Sequence, residues 1–282
     1  MASSSSAAIP PSPPWTELPE ELTANILQRL RTEEILKSAQ RVCTTWWRVC
    51  RNPTMWRAID LHYRRCAFDE FESIFRCAVD RSQGQLVDLK LACFEGDRLL
   101  NYAVERSTQL RCLTLVEYGI TGITLAHAMK KVPQLEELHL MVMPMLTLKD
   151  FESIGISCPM LKSFIYYNYS GVHLEFTEYA VAIGKTMPNL HHLRLSVHRM
   201  ENKGLKAILD GCPHLESLDL QGCAGLDLKG ALGKRCSNQI KDLWLDLAEP
   251  SFQLDDWDDE DLYVFDNAEI GYGDVEYDPD YY

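Results

Sequence analysis

The chain has 282 residues, 46% hydrophobic and 24% charged, the proportions of an ordinary globular protein rather than a disordered or fibrous one. Its formal charge of −13 is lopsided: thirteen of the 41 acidic residues fall in 249–282, a stretch with no Lys or Arg, so the rest is balanced and no basic surface for nucleic acid is indicated. No apolar run approaches the roughly 18–20 residues of a membrane span, and ten Cys without a Cys-x-x-Cys pair read as reduced thiols rather than a disulfide framework or zinc ribbon.

Residues 1–14, MASSSSAAIPPSPP, are expected to be a disordered lead-in. They have no basic n-region and no apolar h-region, so a secretory signal is not expected, and the nucleus and/or cytoplasm is the expected location. Three short helices are predicted next. Pro19 opens the first, which carries Leu22, Ile26, Leu27 and Leu30 on one stripe. Thr32 is the expected N-cap of the second, with Glu33 and Glu34 in its first turn and Ile35, Leu36 and Ala39 along it. Val42, Trp46, Val49 and Cys50 mark the third, and Asn52-Pro53 ends it. Trp15, Trp46, Trp47 and Trp56 put four of the six Trp into this segment. A module of about forty residues cannot enclose so much apolar surface alone. Covering the open end of a downstream stack of repeats accounts for Trp56 and one helix. The remaining stripes call for a second polypeptide.

From residue 86 onward the motif Leu-x-x-Leu-x-Leu recurs. It runs through Leu86-Leu89-Leu91, Leu110-Leu113-Leu115, Leu135-Leu138-Leu140, the aromatic variant Leu161-Phe164-Tyr166, Leu190-Leu193-Leu195, Leu215-Leu218-Leu220 and Ile240-Leu243-Leu245. Successive starts are 24, 25, 26, 29, 25 and 25 residues apart. The alternating end of each motif predicts a short strand with one face inward. Helical spacing lies between motifs, at 97–107, 124–132, 177–187 and 202–212, and Pro133, Pro159, Pro188 and Pro213 stop helices there. One strand and one helix cannot cover their own apolar side, whereas stacked units share a core. The expected fold is therefore α/β: a short three-helix module over 15–60, then a right-handed leucine-rich-repeat solenoid of about seven units over 61–248, then an acidic tail. Cys158, Cys212 and Cys223 resemble the cysteine-containing subclass of such repeats.

Residues between the last two motif leucines should project onto the concave strand face, with those one step past the motif beside them. They are Thr114, His139, Ile165, Arg194, Asp219 and Trp244, with Met141, Tyr167, Ser196, Gln221 and Asp246. Their aromatic and Arg content, flanked by polar groups, suits a protein partner. His139, Met141, Ile165, Tyr167, Arg194, Asp219 and Trp244 are the candidate substrate-binding residues. The tail, 249–282, mixes acids with eight aromatics and is expected to be a solvated, disordered segment. No G-x-S-x-G, H-E-x-x-H or Walker loop occurs, so no enzymatic activity, cofactor or metal is expected.

Trp15-x-x-Leu18-Pro19-x-Glu21-Leu22, Ile26-Leu27-x-x-Leu30, Val42-Cys43-x-x-Trp46-Trp47-Arg48 and Pro53-x-Met55-Trp56, in that order, resemble an F-box. With leucine-rich repeats coming directly after, the whole resembles the plant F-box/LRR-repeat proteins related to Skp-interacting partners. Trp47 stands where that family often has Arg. The resemblance implies a non-catalytic substrate-recognition subunit of a Skp–cullin–F-box ubiquitin ligase. It would bind a Skp-type adaptor, and through it a cullin and a RING subunit, with no nucleic acid or membrane partner. Carried over by motif, the adaptor-binding candidates are Leu18, Pro19, Ile26, Leu27, Leu30, Leu36, Val42, Cys43 and Trp46. A scaffold that binds the adaptor without directing degradation is an alternative. A small-molecule receptor is another, and it lacks the dense basic cluster that an inositol phosphate would need.

Overall fold

The computed structural model describes residues 18–93, 96–116, 120–141, 146–167 and 174–246. The lead-in, Trp15 and the acidic tail expected from the sequence lie outside these residues.

Three short helices come first: α1 (Glu20–Leu27), α2 (Thr32–Lys37) and α3 (Thr44–Val49). Their ends differ in detail from the sequence reading. Pro19 is the residue before the first helical one, at φ −52° and ψ 143°. Thr32 is already helical, and Arg31 precedes it, its backbone N–H donating to the Glu34 carboxylate at 2.9 Å. Glu34, at the third helical position, thus supplies the carboxylate half of a capping box, and Thr32 is not the N-cap. Cys43 caps α3, its Sγ accepting from the Trp46 backbone N–H at 3.5 Å.

Eight parallel strands of five residues then stack in chain order: β1 (Ala58–His62), β2 (Asp88–Ala92), β3 (Cys112–Val116), β4 (Glu137–Met141), β5 (Ser163–Tyr167), β6 (His192–Ser196), β7 (Ser217–Gln221) and β8 (Asp242–Asp246). The register matches the motif. Leu89 pairs with Leu113, which pairs with Leu138, then Phe164, Leu193, Leu218 and Leu243. Below each strand one carbonyl accepts two backbone N–H groups from the next unit. Arg57 O takes those of Val87 and Asp88, and Glu216 O those of Lys241 and Asp242. Successive units are thereby locked at one offset.

Between the strands lie α4 (Phe68–Ser82), α5 (Gly96–Arg106), α6 (Gly122–Lys131), α7 (Leu148–Ser157), α8 (Thr177–Thr186), α9 (Asn202–Gly211) and α10 (Ala231–Gln239). Helices α6 to α9 stop one residue before the one that precedes their prolines. The residues in that place, Val132, Cys158, Met187 and Cys212, share φ between −124° and −114° with ψ between 58° and 75°. A proline excludes the helical region from the residue before it, and so the turn repeats. Buried Cys thiols reach back to the previous unit. Cys158 Sγ lies 3.8 Å from the Met129 carbonyl, and Cys212 Sγ 3.4 Å from that of Met187. Each lies against a carbonyl near a helix end that also accepts a backbone N–H, Met129 O from Val132 and Met187 O from Leu190, and burial pushes both thiols up to about 12.

An eighth unit, β1, precedes the seven motifs found in the sequence. Trp56, Ile59 and Leu61 occupy its three inward positions, all at most 1% exposed. Trp56 thus stands where later units have their first Leu. One continuous core runs from Leu27 through the strands to Ile240, so the front helices and the repeats are a single packed body.

Candidate functional site

Two surfaces carry the candidate residues. The first is a groove between α1 and α3. Leu22 and Ile26, one turn apart, point out of α1 at 51% and 42% exposure, while Leu27, rotated to the other side, is fully buried. Val42, just before α3, is 61% exposed. Leu18, Thr23, Ile26, Val42 and Trp46 line a groove of about 330 Å³. Its wall is almost wholly apolar. Two polar groups are nonetheless buried with no hydrogen-bond partner among the described residues, the Thr23 hydroxyl and the Trp46 indole N–H. Trp47 lies on the outside, with the Arg51 guanidinium 4.4 Å from its ring centroid.

The second surface is the concave strand face. Asp60, Lys90, Thr114, His139, Ile165, Arg194, Asp219 and Trp244 stand in one cross-strand column, one residue per unit. Arg194 Nε donates to Asp219 Oδ2 at 2.7 Å and Nη1 to the Tyr167 hydroxyl at 3.1 Å. Thr114 and His139 share a hydrogen bond of 3.3 Å. Burial, helped by the Arg194 charge, holds the His139 imidazole down to about 4, so it is neutral at pH 7. Trp244 is 70% exposed. With Ile165, His192 and Arg194 it borders a shallow depression of about 180 Å³ over β5–β8.

Residues 15–62 match the family F-box-like. Over 290 residues the chain is 40% identical to F-box protein SKIP19 of Arabidopsis thaliana, covering 98% of this chain and 93% of that protein. It belongs to the F-box/LRR-repeat proteins. A further relative, F-box/LRR-repeat protein 23 of the same plant, is 43% identical over 86% of this chain, which spans only 58% of that protein's length. F-box protein SKIP1, also of Arabidopsis thaliana, is 30% identical, with 75% and 80% covered. A solved leucine-rich repeat-containing protein, LegL7 from Legionella pneumophila, aligns with 66% of this chain and 69% of its own at 14% identity and a TM-score of 0.32. That likeness is too distant to add to the strand register.

In this F-box/LRR-repeat protein the adaptor-binding candidates divide. Leu18, Ile26, Val42 and Trp46 meet at the groove. Pro19 and Leu30 are exposed beside it, and Cys43 is half-buried at the N-cap of α3. Leu27 and Leu36, at 0% and 7% exposure, are instead buried in the core of the module itself. Thr23, Leu22 and Trp47 belong with the surface, although sequence reasoning did not select them. Leu22 was legible, one turn before Ile26, whereas Thr23 had no sequence signal.

The concave candidates also divide. Ile165 and Trp244 present apolar surface. Met141 and Tyr167 do not, being 1% and 7% exposed. The step beyond the motif therefore turns inward here rather than joining the open face. Arg194 and Asp219 are spent on one another, so the positive charge expected mid-column is neutralised. His139 is half-buried and uncharged. Among the described residues no group of three or more His, Cys, Asp or Glu has the arrangement of a metal site.

Proposed function

We propose that this chain is the substrate-recognition subunit of a Skp–cullin–F-box ubiquitin ligase, non-catalytic itself. The observation that carries the reading is the α1–α3 groove. A module matched as F-box leaves Leu22, Ile26, Leu30, Val42 and Trp47 exposed within one short segment. Among the described residues, the much longer run of repeats exposes large apolar side chains only at Ile123, Ile156, Met160 and Trp244. Burying one such side chain contributes about 1.5–3 kcal/mol. Several together offset the roughly 4–15 kcal/mol that association costs. A Skp-type adaptor is the partner proposed for this groove, and a protein substrate the partner for the concave face. Catalysis would be by positioning: a captured lysine is held near the charged ubiquitin carrier, which raises its effective concentration. The depression on the concave face, about 180 Å³, is smaller than the ~300–1,000 Å³ pockets that enclose small ligands. Among the described residues, this depression is too small to enclose such a ligand.

The test is co-expression with a Skp adaptor and affinity capture of the wild-type chain, Ile26→Asp and Val42→Asp. Both positions are exposed, so the variants should melt within a few degrees of wild type. Each should cut adaptor affinity at least about thirtyfold by placing a charge in an apolar interface. Full co-purification of both variants would discard the groove, and a folded wild-type chain that captures no adaptor would discard the assignment.

A further inference from the structure

The junction between the front helices and the first repeat holds a cation that reaches three segments of the front module at once. Arg81, in the last turn of α4, donates from Nη2 to Gln40 Oε1 at 2.9 Å and from Nη1 to the Cys50 carbonyl at 3.3 Å. Its guanidinium carbon lies 5.5 Å from the Trp56 ring centroid. The same Cys50 carbonyl accepts the Trp56 indole N–H at 2.9 Å, and the Gln40 amide nitrogen donates to the Leu36 carbonyl. One side chain of the repeat body thus engages the Ala39–Arg41 turn, the end of α3 and the Pro53–Trp56 turn. At the other end of α4, Lys37 pairs with Glu70 at 2.5 Å, both side chains well exposed.

The apolar part of this junction, Ile35, Val49, Met55, Trp56, Phe75 and Val79, belongs to the continuous core and supplies most of its cohesion. A planar guanidinium making two hydrogen bonds and covering a ring is directional. Arg81 is half-buried, where such bonds are stronger than on an open surface. We infer that Arg81 is a positioning residue that fixes the angle between the adaptor-binding helices and the concave strands. Under the proposed function, that angle decides which lysines come within reach of the ubiquitin carrier. The lysine consequence rests on the ligase reading; the angle does not.

Two measurements on the full chain separate the claims. In the first, nitroxides are attached through noncanonical amino acids at the exposed Arg29 and Glu152 positions, and their distance distribution is recorded with the adaptor bound. The wild-type chain should give one narrow peak. Arg81→Met should broaden it at least about twofold, as expected of modules whose orientation is no longer fixed. Gln40→Ala should broaden it less, and Arg81→Lys should fall between wild type and Arg81→Met. In the second, the ubiquitin sites on the chain's own lysines are mapped in a reconstituted ligase. The distribution should shift in Arg81→Met while adaptor affinity stays within about twofold, since Arg81 is not among the residues that line the groove. An unchanged distance distribution in folded Arg81→Met overturns the clamp. If that variant does not fold, unchanged widths in both Gln40→Ala and Arg81→Lys overturn it. A broadened distribution with an unchanged lysine map overturns the positioning role. A wild-type assembly that attaches no ubiquitin overturns the ligase reading and leaves the clamp to the distances.

Discussion

Glu33 shows how burial outweighs a locally favourable placement. It sits in the first turn of α2, where a carboxylate gains from the helix dipole. Yet it is 5% exposed, and its Oε2 has no hydrogen-bond partner among the described residues. Desolvation is the largest influence and raises its carboxyl above the usual range, against a hydrogen bond from its own backbone N–H and the weaker pull of Arg65 and Arg31. The folded state therefore holds this proton more tightly than the unfolded chain. Such a group is least costly below its unfolded value of about 4.3, and stability is lost as pH rises from there through the folded value. Glu33→Gln should accordingly raise stability at pH 7 by about 1 kcal/mol, a Tm gain of roughly 2–4 °C. The gain should shrink towards pH 4. Melting curves of both proteins across that range check the sign, and a variant less stable than wild type at pH 7 would mean that the ionised carboxylate is needed.

At the scale of elements, the repeat was open to sequence reading because its signal is periodic, while contacts between neighbouring helices were not. Seven motifs at nearly constant spacing and a proline after each of four helices located strands and helix ends. The eighth strand escaped because Trp56 fills the first Leu position and, as a letter, belongs equally well to the front module. The approach of α8 to α9 had no local signal either. A Cβ on Gly211 would fall within the carbonyl group of Gly184, and one on Gly184 within that of Ala207. These are backbone atoms of a neighbouring helix and cannot rotate aside. Alanine is ordinarily the better helix former by about 1 kcal/mol. Gly211→Ala should nevertheless destabilise by about 1–3 kcal/mol, because the helices must move apart and reopen packed core. Urea unfolding measures this, and a stabilised variant would show that α8 and α9 are not in backbone contact.

At the scale of the whole molecule, the two candidate surfaces belong to one body with a continuous core, yet share no side chain. Sequence reading found both surfaces but could not sort their residues. Leu27 and Ile26 are adjacent letters on one apolar stripe, and only the packing of α1 tells which is core. Tyr167 looked like an anchor, and it is a buried partner of Arg194. A Tyr167→Asp change would damage the repeat rather than report on binding. Trp244 is the better probe. It is the large apolar side chain most exposed on the concave column, and Trp dominates many protein interfaces when truncated. Trp244→Ala removes surface that the fold does not use, so its melting temperature should match wild type. Combined with Ile165→Asp, it should weaken a captured substrate by about 2–4 kcal/mol, roughly thirtyfold or more in Kd. Adaptor affinity should be unchanged, because residues this far apart act additively. Parallel titrations of the double variant with adaptor and with a substrate captured by the wild-type chain decide it. Equal loss at both partners would point to a damaged fold, and equal retention at both would move the substrate site off the concave face.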